Sequence, residues 1–113
     1  MKELTGPAAV ALATAQAAIT APLVLLDVRE PWEVALAAIA LPTATTRFMP
    51  MSELAGRLGE LDPAQPVGCI CHHGARSAQV VAFLERQGFG SAYNLAGGID
   101  AWSRDVDPGV ARY

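Results

Sequence analysis

Two short apolar runs, "LVLLDV" at residues 23–28 and "PVGCIC" at residues 66–71, constrain this chain most. A strand with one wet face alternates apolar and polar residues. These runs are continuous instead, as strands buried on both faces are, and such strands belong to parallel sheets covered by helices. The segments around them read as helices. "PAAVALATAQAAI" (7–19) has high helix propensity, with Pro7 suited to a first turn. "EPWEVALAAI" (30–39) restarts as a helix, with Pro31 near its start. "MSELAGRLGEL" (51–61) carries Leu54, Leu58 and Leu61 at helical spacing, with Ser52 as the expected cap. "ARSAQVVAFLERQG" (75–88) is amphipathic and closes on Gly88. "SAYNL" (91–95) reads as a third strand, and "GGIDAWSR" (97–104) as a glycine turn into a last short helix. The alternation implies an α/β layer structure with a mainly parallel sheet. Ligands of such sheets sit beyond the carboxyl ends of the strands. Asp27 and Cys71 both lie at such ends and are expected to face one crevice.

At 113 residues the chain is read as a single domain, 1–113, able to bury a core without disulfide or metal staples. A net charge of -3 gives no basic footprint for nucleic acid or an acidic membrane surface, so any anion must be held by local geometry. Residues 7–26 carry no charge, yet alanine and threonine make them weakly apolar and Pro22 interrupts them. A soluble helix followed by a buried strand is expected there, not a membrane anchor or signal peptide. Cys69 and Cys71, one residue apart, are too close along the backbone for a relaxed disulfide. Reduced thiols in a cytoplasmic protein are the expectation.

Both cysteines and both histidines fall in "CICHH" at the start of "CICHHGARS" (69–77). A structural zinc site takes C-x₂₋₄-C and H-x₃₋₅-H pairs from two elements, and these four residues are nearly contiguous. A Cys–His dyad needs a histidine from a distant segment, and none exists. The strand-to-helix position of Cys71 suggests a third arrangement. A tight loop before a helix gathers backbone N–H groups around one point and makes an anion site. With Arg76 nearby, a thiol there ionises more readily and is a nucleophile at neutral pH. Gly74 suits a loop position of unusual dihedral angles. His72 and His73 either line the pocket or are solvated, and Ser77 either caps the helix or donates to a bound anion. Cys69 reads as a small buried hydrophobe. Asp27 and Arg29 either brace the pocket or form a structural ion pair. Trp32 is expected to pack the domain, and Trp102 to pack it or to wall the crevice. Glu85 and Arg86 are expected to be solvated.

"LLDVREPWE", "CHHGARSAQVVAFLERQGF" and "NLAGGIDAW" resemble, in order and separation, three segments of the rhodanese-like family. The resemblance runs from Leu23 to about Trp102. It implies a three-layer fold, a five-stranded mainly parallel sheet with helices on both faces. It also implies a sulfurtransferase in which Cys71 carries sulfane sulfur as a persulfide, with His72, His73, Gly74, Ala75, Arg76 and Ser77 cradling substrate. Asp27, Arg29 and Trp102 would support this site, and no metal or cofactor is implied. The implied partners are a small-molecule sulfur donor such as thiosulfate and a thiophilic acceptor, cyanide or a thiol. A relay that hands sulfur to a protein is the alternative. Related phosphatases and arsenate reductases have a C-x5-R loop sized for a tetrahedral oxyanion, whereas Cys71 and Arg76 are spaced C-x4-R. The chain departs from the family at "ALPTA" (40–44), which lacks the histidine and glycine of an H-I-P-G-A-like segment. "TTRFMPM" (45–51) reads as a longer loop, with Arg47 either solvated or reaching a substrate anion.

Overall fold

The computed structural model describes residues 2–16 and 22–113. Five strands form one sheet in the order β1-β5-β4-β2-β3. They are β1 Glu3–Leu4, β2 Val24–Asp27, β3 Thr45–Phe48, β4 Val67–Ile70 and β5 Ala92–Leu95. Every pair is parallel. The helices are α1 Gly6–Gln16, α2 Pro31–Leu36, α3 Met51–Arg57, α4 Ala75–Arg86 and α5 Gly98–Asp105. The last residues of the expected first helix, 17–19, lie outside the described residues.

Strand alternation divides the core in two. Val24, Leu26, Val67 and Cys69 point to one face, where Leu54 of α3 and Val80, Val81 and Leu84 of α4 cover them. Leu23, Leu25, Ile70 and Leu95 point to the other, against Ala9 and Ala13 of α1 and Ile99 and Trp102 of α5. This explains the continuous apolar runs: both faces of β2 and β4 are dry. It also gives the three layers that the resemblance implied.

The chain leaves β2 towards β3 and leaves β4 towards β5, its opposite neighbour. A crevice therefore opens beyond the carboxyl ends of β2 and β4, the topological switch point of the sheet. The loop 71–74 occupies the β4 side, and residues 28–30 with α2 occupy the β2 side.

Four expectations need correction. The segment 45–51 is not a loop: Thr45–Phe48 form an edge strand whose outward residues are polar or exposed, so it shows no buried run. Arg47 on that edge is exposed, with Glu60 as its nearest acid at 3.9 Å. Ser52 is not a cap, because Pro50 holds that position and the amide of Met51 donates to the Val28 carbonyl. The α3 helix stops at Arg57 and tightens into a 3₁₀ turn over Leu58–Glu60, in a stretch weakened by Gly56 and Gly59. Helix α2 ends at Leu36, three residues early, because the Arg29 guanidinium takes the carbonyls of Glu33 and Ala37 at 3.3 and 2.7 Å.

Gly97 and Gly98, with φ of +73° and +62°, turn the chain from β5 into α5. A methyl group at Gly98 would collide with the Cys71 and His72 carbonyls, meeting the His72 carbonyl carbon at 2.6 Å. Gly98→Ala is expected to lower stability by about 1–3 kcal/mol in urea unfolding, from overpacking and positive-φ strain. It is also expected to slow alkylation of Cys71; an unchanged urea midpoint would show that α5 does not press on the loop.

Candidate active site

Cys71 is the residue after β4, and its side chain is buried. Gly74, at φ +105° and capping α4, turns its N–H towards the Cys71 Sγ at 3.0 Å. The Ser77 Oγ lies 3.2 Å from the same sulfur. Burial alone would push the thiol pKa up. The Ser77 hydroxyl and the amides of Ser77, Gly74 and Arg76 outweigh it and hold Cys71 below the ordinary thiol range. Cys69, two residues earlier, lies wholly in the core and has no such donors. Burial, with the neighbouring Cys71 charge, pushes its thiol up to about 12.

The loop is held in place from outside through its carbonyls. The amides of Ile99 and Asp100, in the first turn of α5, donate to the Cys71 and His72 carbonyls at 2.9 and 3.1 Å. Asn94 of β5 donates its Nδ2 to the Gly74 carbonyl at 3.1 Å. These contacts explain why the GG turn and the strand before it belong to the site.

The charged groups at the rim are paired. Arg76 makes a two-pronged bond to Glu33, with both N···O distances 2.7 Å. Glu33 also accepts from the Glu30 amide at 2.9 Å and the Tyr113 hydroxyl at 3.0 Å. The Arg76 guanidinium holds the Glu33 carboxyl down at about 2, and Arg76 itself is pushed above its ordinary value. Arg29 is buried against Asp27 through two bonds of 2.9 and 2.7 Å and donates to the Tyr113 hydroxyl at 3.0 Å. Asp27 is thus an ion-pair partner, linked to the Cys71 loop through Arg29, Glu33 and Arg76.

The remaining expected residues separate. His72 is stacked between His73 and Tyr113, with ring centroids 4.0 and 3.9 Å away. Ala75 opens α4 and is exposed. Ser77 is directed at the sulfur instead of acting only as a cap. Trp102 is buried in the core on the α1 and α5 side of the sheet. Trp32, expected to pack the domain, is instead 63% exposed beside Tyr113. Its helix opens at the rim of the crevice, where no second layer covers it. Glu85 and Arg86 are exposed as expected.

Glu33, Asn94 and Tyr113 were not legible as site residues. Asn94 carried a usable signal, since a polar residue inside a buried strand must find partners. Glu33 carried a weaker one, an acid in the first turn of a helix. Tyr113 carried none.

The cysteine with the lowered pKa thus lies in an amide cradle at the switch point of a parallel α/β sheet. The family model of the Rhodanese-like domain matches residues 11–105, and the chain belongs to that family. It is 40% identical to a sulfurtransferase of Allochromatium vinosum over 92 residues, covering 81% of this chain and 82% of that protein. It is 44% identical to the thiosulfate sulfurtransferase GlpE of Actinobacillus pleuropneumoniae over 51 residues, 45% of this chain and 47% of the relative. A rhodanese-related protein from Thermoplasma volcanium superposes with a TM-score of 0.77 at 28% identity, covering 100% of both chains. The match spans only 30% of a chloroplastic rhodanese-like/PpiC domain-containing protein of Arabidopsis thaliana, at 38% identity and 79% of this chain.

Because the folded pKa of Glu33 lies below its ordinary 4.5, its contribution to stability is present above pH 4.5 and is lost as pH falls towards 2. The stability difference between wild type and Glu33→Gln in urea unfolding should be constant above pH 5 and shrink as the pH drops below about 4.5. A difference that does not change with pH would mean that the Arg76 pair does not select the ionised carboxylate.

Proposed function

We propose that this domain transfers sulfane sulfur through a Cys71 persulfide. The observation that carries the reading is the set of N–H groups and the Ser77 hydroxyl directed at one sulfur. With thiosulfate as donor, the Cys71 thiolate attacks the outer sulfur. The S–S bond of thiosulfate breaks, and sulfite leaves with the bonding pair. Cyanide or a thiolate then attacks the outer sulfur of the persulfide. The new S–S bond breaks, the product departs with the sulfur, and Cys71 returns as thiolate. The same amides stabilise the negative charge on sulfur at the start and end of each step.

The loop residues His72, His73, Gly74, Ala75, Arg76 and Ser77 supply the cradle. In this reading Arg76 works mainly as a brace, since Glu33 occupies both of its terminal nitrogens. That engagement also weighs against a phosphatase, which needs a free guanidinium fork for its phosphate. Asp27 and Arg29 stabilise the opposite side of the crevice. The acceptor in life is a small thiophile, a low-molecular-weight thiol or a protein thiol. A reducing cytoplasm suits two free cysteines, of which one must stay reduced to react.

Incubation with thiosulfate should add the mass of one sulfur to the protein, removable by reductant, and thiocyanate should form when cyanide is supplied. Cys71→Ser should abolish both. A wild-type protein that gains no sulfur and forms no thiocyanate would contradict the proposal. Sulfur gain with little thiocyanate would identify a relay to a protein acceptor instead.

A further inference from the structure

Ser77 has one hydroxyl hydrogen and two acceptors in reach. The Cys71 Sγ lies at 3.2 Å and the Asn94 Oδ1 at 2.5 Å. The orientation of the Asn94 amide is set by its other end. Its Nδ2 donates to the Gly74 carbonyl at 3.1 Å and approaches the Glu3 carboxylate at 3.3 Å. Flipping the amide would turn Oδ1 onto two acceptors, so Oδ1 stays on Ser77. All three side chains are buried. No freedom remains for Ser77 to serve both neighbours at once.

We propose that Asn94 is a positioning residue that competes with Cys71 for the Ser77 hydrogen and so limits how far the site stabilises the thiolate. With Cys71 protonated, the bonds run from the thiol S–H to Ser77 Oγ and from the Ser77 O–H to Asn94 Oδ1. Ionisation turns the Ser77 hydrogen to the sulfur and gives up the short bond to Asn94. Each thiolate therefore forms at the expense of a buried amide acceptor. On the sulfur-transfer reading, the inner sulfur of a persulfide is neutral and a weak acceptor, so Ser77 returns to Asn94. The competition then disfavours the empty thiolate relative to the loaded cysteine. When an acceptor thiolate attacks the outer sulfur, the Cys71–S bond breaks and Cys71 leaves with the pair. Asn94 makes it a poorer leaving group, and the sulfur is held longer.

Other charged or titratable groups surround the loop. Glu33 reaches it from α2 and its partner Arg76 from α4, Tyr113 stacks on His72, Asp100 comes from α5, His72 and His73 from the loop itself, Glu3 from β1 and Cys69 from β4. None differs between the variants that test the idea, so a double-mutant cycle cancels them.

The test is the pH profile of Cys71 alkylation by iodoacetamide, read by peptide mass, in wild type, Asn94→Ala, Ser77→Ala and the double variant. This readout needs no sulfur donor, so it can fail while the sulfur-transfer reading stands, and the reverse. Asn94→Ala also releases the Gly74 carbonyl, and the Ser77→Ala background measures that loss by itself. With Ser77 present, Asn94→Ala should shift the midpoint lower than it does in the Ser77→Ala background, by about half a pH unit or more. Equal shifts in the two backgrounds, or a coupling of opposite sign, would overturn the proposal. A readout on the unaltered protein guards against a variant that does not fold. At acid pH the infrared S–H stretch lost in Cys71→Ala should be that of a hydrogen-bonded donor, and a free S–H frequency would also overturn it.

Discussion

Everything at this site depends on how the peptide carbonyls of Cys71, His72 and Gly74 are satisfied. If those carbonyls turned inward they would repel a thiolate. They are drawn outward by the first amides of α5 and by the Asn94 side chain. These bonds fix the path of the loop, and the amides of Gly74, Arg76 and Ser77, where the loop enters α4, face the sulfur. Gly98 permits this contact because any side chain there would displace the Cys71 and His72 carbonyls. A structural feature 27 residues beyond the cysteine thus fixes the backbone that follows it.

The second organising element is charge pairing across the crevice. Glu33 opens α2 after β2, and Arg76 opens α4 after β4, so their ion pair ties together the two sides of the switch point. Asp27 and Arg29 continue the network behind it, and the Tyr113 hydroxyl bridges Arg29 to Glu33. Breaking one partner of a buried pair is costlier than the net worth of the pair, since a lone charge stays behind. The network therefore serves mainly to hold geometry. It leaves the backbone amides and the Ser77 hydroxyl as the donors that face Cys71.

Much of this was legible in the sequence, for reasons that can be named. The continuous apolar runs at 23–28 and 66–71 reported strands dry on both faces, and the helix at 75–88 showed its amphipathic period. Cys71 and Gly74 stood out because strand-to-helix loops need few residue types. The two-residue β1 and the exposed edge strand β3 were not visible as strands, because neither buries a patterned face. The five-strand sheet came from family resemblance alone. Arg76 was read as a cation serving the thiolate and the substrate, because its partner lies 43 residues away on another element. Asn94 was passed over as part of a short strand, although its lone polar side chain among buried neighbours was a signal.

The central claim is that backbone amides, in a loop fixed by the contacts behind it, favour the thiolate of Cys71. The most direct measurement follows the amide resonances of Gly74, Arg76 and Ser77 by nuclear magnetic resonance while the thiolate absorbance of Cys71 is titrated in the same samples. The account predicts that all three amide protons move downfield together as the thiolate forms, with a shared midpoint below that of an ordinary thiol. A midpoint at or above the ordinary value, with amide resonances indifferent to the ionisation, would contradict it.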